Sequence, residues 1–290
     1  MTTPHRDFPM PPALVPAVRA WLDTPEADRP APVAPRAAAT VMVVRDGAQG
    51  VEVFMQTRAA SMAFAPGMMV FPGGGVDPRD EVTDAAWSGP TPQEWSARMP
   101  GTTPASAQQL VLAAAREVFE ETGVLLAAHP DGRPVSEAEA SAPAAVEGRR
   151  RVEAREVAFS DLLTELGLTV RTECLSVRDH WTTPECEPRR YDTWFFAARI
   201  PEGQEPDDGT SEAVSASWER PAAVLERAAG DAGLMLPPTI AALEDLRAAG
   251  SAAEVLADRH EVPEVMPWPE EVPVGPDAPD GLVMRTPWRR

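Results

Sequence analysis

The chain has 290 residues, a formal net charge of −19, 33 prolines and two cysteines. That length carries one large domain, or a domain with extensions, around a sizeable core. The acidity excludes nucleic acid as the main partner, since a polyanion needs a basic face, and no run of about eighteen apolar residues exists to span a membrane.

Lys and Asn are absent and Ile occurs only as Ile200 and Ile240. All three have A/T-rich codons, so a G+C-rich, bacterial genome explains a basic set made of Arg alone. Cys174 and Cys186 form no metal-ligand spacing and read as reduced thiols. The first residues lack the charged-then-apolar grammar of a signal peptide, so a cytoplasmic protein is expected.

In chain order, residues 1–36 hold seven prolines by position 30 and one short helical candidate at Leu14 to Leu22. This segment is expected as an extension, partly disordered or lying on the surface. Ala37 to Val44 suits a buried strand, and Val51 to Thr57 alternates as its return after the turn at Asp46-Gly47. Val70 to Glu81 reads VFPGGGVDPRDE, a glycine loop in which Gly73, Gly74 and Gly75 allow close backbone approach. Residues 82–102 contain Trp87 and Trp95 and are expected to be structured. Thr103-Pro104 is a helix cap and first residue. The helix runs through REVFEE, with Leu110, Ala114 and Val118 facing the sheet, and Gly123 closes it.

A strand is expected at Val124 to Leu126, then a loop from Asp131 to Ala145. Helices follow at Val146 to Ala158 and in the LLTEL segment that ends at Gly167. Strands are expected at Leu168 to Trp181, Tyr191 to Ile200 and Val214 to Trp218. Helices complete the reading at Pro221 to Ala229 and Thr239 to Leu256, with a strand in the closing DGLVMRTPWRR.

Glu117, Glu120 and Glu121 stand at i, i+3 and i+4, so a helix aims three carboxylates at one patch. An acidic helix patch alone is commonly a solvated face. The order strand, glycine loop, acidic helix points instead to a site for a hard divalent cation, which removes the like-charge penalty.

At these residues the chain resembles the Nudix hydrolase family. Gly75, five residues and Glu81 match the first half of the family's box. Arg116, Glu117, Val118, Glu120, Glu121, Gly123 and Val124 match every fixed position of the second half. The departure lies between the halves, where 34 residues (82–115) stand in place of the family's seven.

The resemblance implies an α/β fold, a Nudix α/β/α sandwich with a mixed sheet, over residues 37–250. The box insertion falls at 82–102 and a Pro-rich extension at 251–290. It implies Mg²⁺ or Mn²⁺ as cofactor, held by Glu117, Glu120 and Glu121 with Glu81 as a fourth ligand. Arg116 would hold the rotamer of a neighbouring glutamate. Glu117, Glu120, Arg116 and the loop residue Glu212 form the catalytic set, the general base being a helix glutamate or Glu212. The reaction implied is hydrolysis of a diphosphate bridge in a nucleoside-diphosphate-X substrate, and a homodimer is common in the family.

For the substrate, FMQTRAASMAFAPGMMVFPGG resembles the family's coenzyme-A-pyrophosphatase signature. Arg58, Ala59, Gly67 and Phe71 to Gly74 fall in register, while Gln56 replaces a Thr and Ala63 replaces an Arg. The later HWTTPECEPRRYDTWFF and the box insertion look most like the branch holding peroxisomal acyl-CoA diphosphatases. Arg58, Gly73, Gly74, Gly75, Arg189 and Arg190 are the substrate-binding candidates. CoA or acyl-CoA is the leading substrate and ADP-ribose or NADH the runner-up. A silent nucleotide-binding regulatory domain should have lost box carboxylates, and all three helix glutamates are present.

Overall fold

The computed structural model describes residues 4–60, 65–81, 86–207, 213–229 and 234–287. The strands are β1 His5–Pro9, β2 Arg36–Gly47, β3 Gly50–Arg58, β4 Met69–Val70, β5 Gly73–Gly75, β6 Trp87–Ser88 and β7 Ala127–Ala128. They continue with β8 Thr169–Arg171, β9 Leu175–Thr182, β10 Tyr191–Arg199, β11 Ala213–Glu219, β12 Glu264–Val265, β13 Trp268–Glu271 and β14 Leu282–Pro287. The helices are α1 Val15–Asp23, α2 Pro92–Arg98, α3 Pro104–Thr122, α4 Glu137–Ala140, α5 Pro143–Glu153, α6 Phe159–Glu165, α7 Pro221–Ala228, α8 Pro237–Arg247 and α9 Ala252–Ala257.

Among the described residues the centre is an eight-stranded sheet in the order β11-β3-β2-β10-β9-β12, with β4 on β3 and β5 on β2. It is mixed: β10 runs parallel to β2 and β12 to β9, and the other pairs are antiparallel. The apolar runs of β2 and β10 are buried on both faces because helices cover both. Ala39, Val41, Val43, Trp194 and Phe196 meet α2 and α3 on one side. Met42, Val44, Phe195 and Ala197 meet α1, α7, α8 and α9 on the other. The expected α/β/α sandwich is therefore present.

Helix α3 has a second apolar stripe. Leu112, Ala115 and Phe119 pack on Val152, Phe159, Leu162 and Leu163 of the α5–α6 layer. Squeezed between sheet and outer helices, α3 buries Arg116, Glu117 and Glu121. Its ends follow the sequence: the Thr103 hydroxyl accepts from the Ser106 N–H, and Gly123 takes the left-handed conformation at φ 73°.

Several expected elements differ. Val124 to Leu126 is not a strand; only Ala127–Ala128 joins a small sheet of order β6-β8-β7. The loop expected at 131–145 contains α4, capped by Ser136 and Glu139. Leu168 to Trp181 is broken at Thr172–Cys174 by a helical turn. The single helix expected at 239–256 is two, parted at Gly250 and capped again by Ser251.

The terminal stretches form structure of their own. β1 pairs with β14 and β14 with β13, so residues near the two ends of the chain make one three-stranded sheet. Phe8, Met10, Leu282 and Met284 from it enter the core below the main sheet. The insertion contributes β6 and α2, pinned by Trp95, which is fully buried with its indole N–H on the Thr172 hydroxyl at 3.3 Å.

Candidate active site

The glycine strand β5 lies against the first half of β2, with Gly75 opposite Ala38 and Gly73 opposite Thr40. This register brings the loop onto the last turns of α3. A Cβ on Gly74 would sit 2.5 Å from Glu117 Oε1, so only glycine leaves that carboxylate where it is. The Gly73 N–H donates to Glu121 Oε1 at 3.2 Å.

Arg116 stands at the centre of the cluster. Its Nη1 donates to Glu117 Oε1 at 2.7 Å and to Glu120 Oε1 at 2.9 Å. Its Nη2 reaches the Gly75 carbonyl at 2.9 Å, and Nε and Nη2 clasp the Asp80 carboxylate at 2.9 and 3.0 Å. Asp80 is itself held, accepting from the Asp77 N–H at 2.8 Å within a capped turn.

Burial decides the electrostatics. Glu117 and Glu121 are only 8% and 5% exposed, because the outer helices close over α3. Burial pushes the Glu117 carboxyl up to about 7, with Arg116 opposing and Glu120 adding to the rise. Burial also works against the Arg116 charge, but the Asp80 hydrogen bond and the neighbouring carboxylates outweigh it and raise its pKa. Asp77, hydrogen-bonded by Arg79, is held well below the usual carboxylate range.

A cavity of about 940 Å³ opens over this cluster. Gly73, Gly74, Gly75, Asp80, Arg116, Glu117 and Glu120 line its polar part. Leu14, Phe71, Trp181, Phe195 and Met284 line an apolar part that is the surface of the core below the sheet. Arg58 and Arg189 also line it, as the sequence suggested.

Three sequence candidates, Glu81, Glu121 and Arg190, do not line the cavity; Glu121, expected as a metal ligand, is buried behind the glycine loop with the Gly73 N–H on its Oε1. Glu81 is exposed at the end of the turn and does not line the cavity. The neighbouring Asp80, 3% exposed, faces Arg116 instead. Arg190 is buried, donating to the Thr183 and Val33 carbonyls at 2.9 Å each, and serves to tie the N-terminal segment to the body. Glu212 lies outside the described residues, as does Ala63 of the substrate signature. The insertion does not reach the cavity among the described residues.

Other cavity residues were not singled out from sequence: Arg36, Asp77, Arg79, Asp80, Arg155 and Glu187. Asp80 could have been found from the box spacing, one residue short of the matching glutamate. Glu187 has its carboxyl pKa raised by burial in the cavity wall.

The donor set fits a hard divalent ion: Glu117 and Glu120 present carboxylate oxygens to the cavity, the ligand type that Mg²⁺ and Mn²⁺ take. Among the described residues no three acidic, imidazole or thiol groups are gathered so as to hold an ion; Arg116 Nη1 stands between Glu117 and Glu120. Binding would exchange that bridge for the cation.

Comparison with known proteins agrees with this geometry. The family model described as the NUDT19 Nudix domain matches residues 32–246. A NUDIX hydrolase from Alicyclobacillus acidocaldarius is 28% identical, aligning 80% of this chain with 99% of its own at a TM-score of 0.65. A MutT protein from Bacillus halodurans is 11% identical, with 80% and 88% of the two chains covered and a TM-score of 0.38. No helix among the described residues is long and apolar enough to cross a membrane. With a family model over most of its length and the whole box helix in place on the shared fold, the chain belongs to the Nudix family and is a Nudix hydrolase.

Proposed function

We propose that this Nudix hydrolase cleaves the diphosphate bridge of CoA or acyl-CoA, giving adenosine 3′,5′-bisphosphate and phosphopantetheine or its acyl form. The observation that carries this reading is the two-part cavity, in which box carboxylates and an apolar wall share one space. A nucleoside diphosphate joined to a long, partly apolar arm matches both parts. ADP-ribose and NADH offer polar groups on either side of the diphosphate and leave the apolar wall without a partner.

Glu117 and Glu120, which face the cavity, would hold Mg²⁺ or Mn²⁺. When bound, the ion supplies neutralisation of the phosphate oxygens and a more acidic water. Before the ion binds, Arg116, clasped by Asp80, spaces Glu117 and Glu120 and keeps both at the glycine loop. Glu121 acts behind that loop, fixing the Gly73 N–H. Leu14, Phe71 and Met284 shed water along the arm of the substrate.

The test is product analysis by mass spectrometry with Mg²⁺ or Mn²⁺ and a panel of CoA, acetyl-CoA, a longer acyl-CoA, ADP-ribose and NADH. The reading predicts adenosine 3′,5′-bisphosphate from the CoA thioesters and CoA. Cleavage of ADP-ribose or NADH alone would overturn it. Tight nucleotide binding without turnover of any compound would replace it with a regulatory domain.

A further inference from the structure

Arg155 has a backbone φ of 61°, one of two described non-glycine residues in the left-handed region. It follows α5, where its N–H donates to the Val152 carbonyl at 2.9 Å and the Glu156 N–H to the Arg151 carbonyl at 2.8 Å. This paired closure of a helix end places its left-handed residue where glycine is favoured, and a Cβ there is strained. The chain keeps an arginine at that position, and its side chain does little for the fold. The side chain is 77% exposed, and among the described residues its ion pairing is one long contact with Asp77, at 3.9 Å. The Arg155 carbonyl, which glycine would equally supply, accepts from Arg79 Nη1.

A second cation shares this end of the cavity. The Val76 N–H donates to the Ala37 carbonyl at 2.9 Å, which sets Arg36 beside the segment leaving the glycine loop. Arg36 is exposed, lines the cavity, and has no side-chain hydrogen bond or ion pair among the described residues. Nearby acids are already matched: Asp77 by Arg79 at 2.7 Å and Glu153 by Arg149 at 3.4 Å. Arg155, with its one long contact to Asp77, and Arg36, next in sequence to the residue that accepts from the Val76 N–H, thus both line the cavity near Val76–Arg79.

We propose that Arg36 and Arg155 form a second anion subsite, for a phosphate monoester on the nucleoside of the substrate, separate from the diphosphate being cleaved. A guanidinium fork suits a phosphate dianion. The proposal rests on the CoA reading above, and it supplies what separates CoA from ADP-ribose and NADH, which carry no such monoester. Arg155 is retained in a strained conformation because its side chain binds substrate.

The test compares kcat/KM for CoA with that for 3′-dephospho-CoA in wild type, Arg155→Gly and Arg36→Ala, with Tm measured for each. Wild type should prefer CoA by about tenfold or more, the worth of a charge-assisted contact or two. Arg155→Gly should raise Tm by about 2 °C through relief of the left-handed strain. The same variant should lower the CoA to dephospho-CoA ratio about tenfold, and Arg36→Ala should lower it too. A wild type that cleaves both equally, or a ratio that survives in both variants, would overturn the subsite alone. A wild type that cleaves ADP-ribose and neither CoA form would overturn the functional reading beneath it.

Discussion

At the scale of residues, the box helix was legible and its partner was not. Periodicity and spacing identified Arg116, Glu117, Glu120 and Glu121 as one group, and the structure gathers them with Gly73 to Gly75. The resemblance to the family's box also selected Glu81, whereas the capped turn at Pro78–Asp80 points Asp80 at Arg116. A one-residue choice of this kind depends on turn geometry that local composition does not encode. Asp80→Asn should therefore cost about 3 kcal/mol in a urea melt, because it leaves a buried guanidinium without its main counter-charge. Glu81→Gln should fall within about 0.5 kcal/mol of wild type, as an exposed change does. Equal effects at the two positions would contradict the assignment. The glycines divide similarly. Gly74→Ala should change Tm little, since the carboxylate end of Glu117 can swing away, yet lower turnover at least about tenfold, because that end is the proposed metal ligand. Gly75→Ala, whose Cβ would meet only the Ala37 carbonyl at 3.9 Å, should behave nearly as wild type in both assays.

At the scale of elements, legibility followed length and capping. Helix α3 was placed to within a residue because Thr103, Pro104 and Gly123 mark its ends, and β2 and β3 to within three because their apolar runs are long. Short elements failed. β7 and β8 have two or three residues each and exist as strands because they pair with one another, β8 pairing also with β6 of the insertion. The split of α8 from α9 turns on Gly250-Ser251, a stop and a new cap inside an otherwise continuous helical pattern. The second apolar stripe of α3 was also missed, and with it the burial of Glu117 and Glu121. Gly123 gives the test at this scale. A side chain there must adopt φ near 73° and would approach Asp207 Oδ2 to 3.0 Å, so Gly123→Ala should lose about 1 kcal/mol or more of stability. An unchanged denaturation midpoint would show that the α3 terminus relaxes freely.

For the whole molecule, the three-layer fold followed from the family resemblance carried by the box, but the meeting of the chain ends did not. His5 lies opposite Pro287 in the terminal sheet, and no local pattern announces a pairing over so long a loop. That sheet has a functional consequence, since Leu14 and Met284 bring the two terminal segments to the cavity wall. Removal of residues 1–10 should uncover Met284, lower Tm, and raise KM for a long acyl-CoA more than for free CoA. A parallel rise for both would place the acyl chain elsewhere.

The central claim is that carboxylates on α3 make this cavity a cation-dependent diphosphatase. Steady-state hydrolysis of CoA by wild type and Glu120→Gln, followed as Mg²⁺ is titrated from a chelated baseline, tests it most directly. Wild-type turnover should rise from the baseline to saturation, and Glu120→Gln should stay about a hundredfold lower with an unchanged Tm. Turnover that persists without divalent ions, or a folded Glu120→Gln that matches wild type, would contradict it.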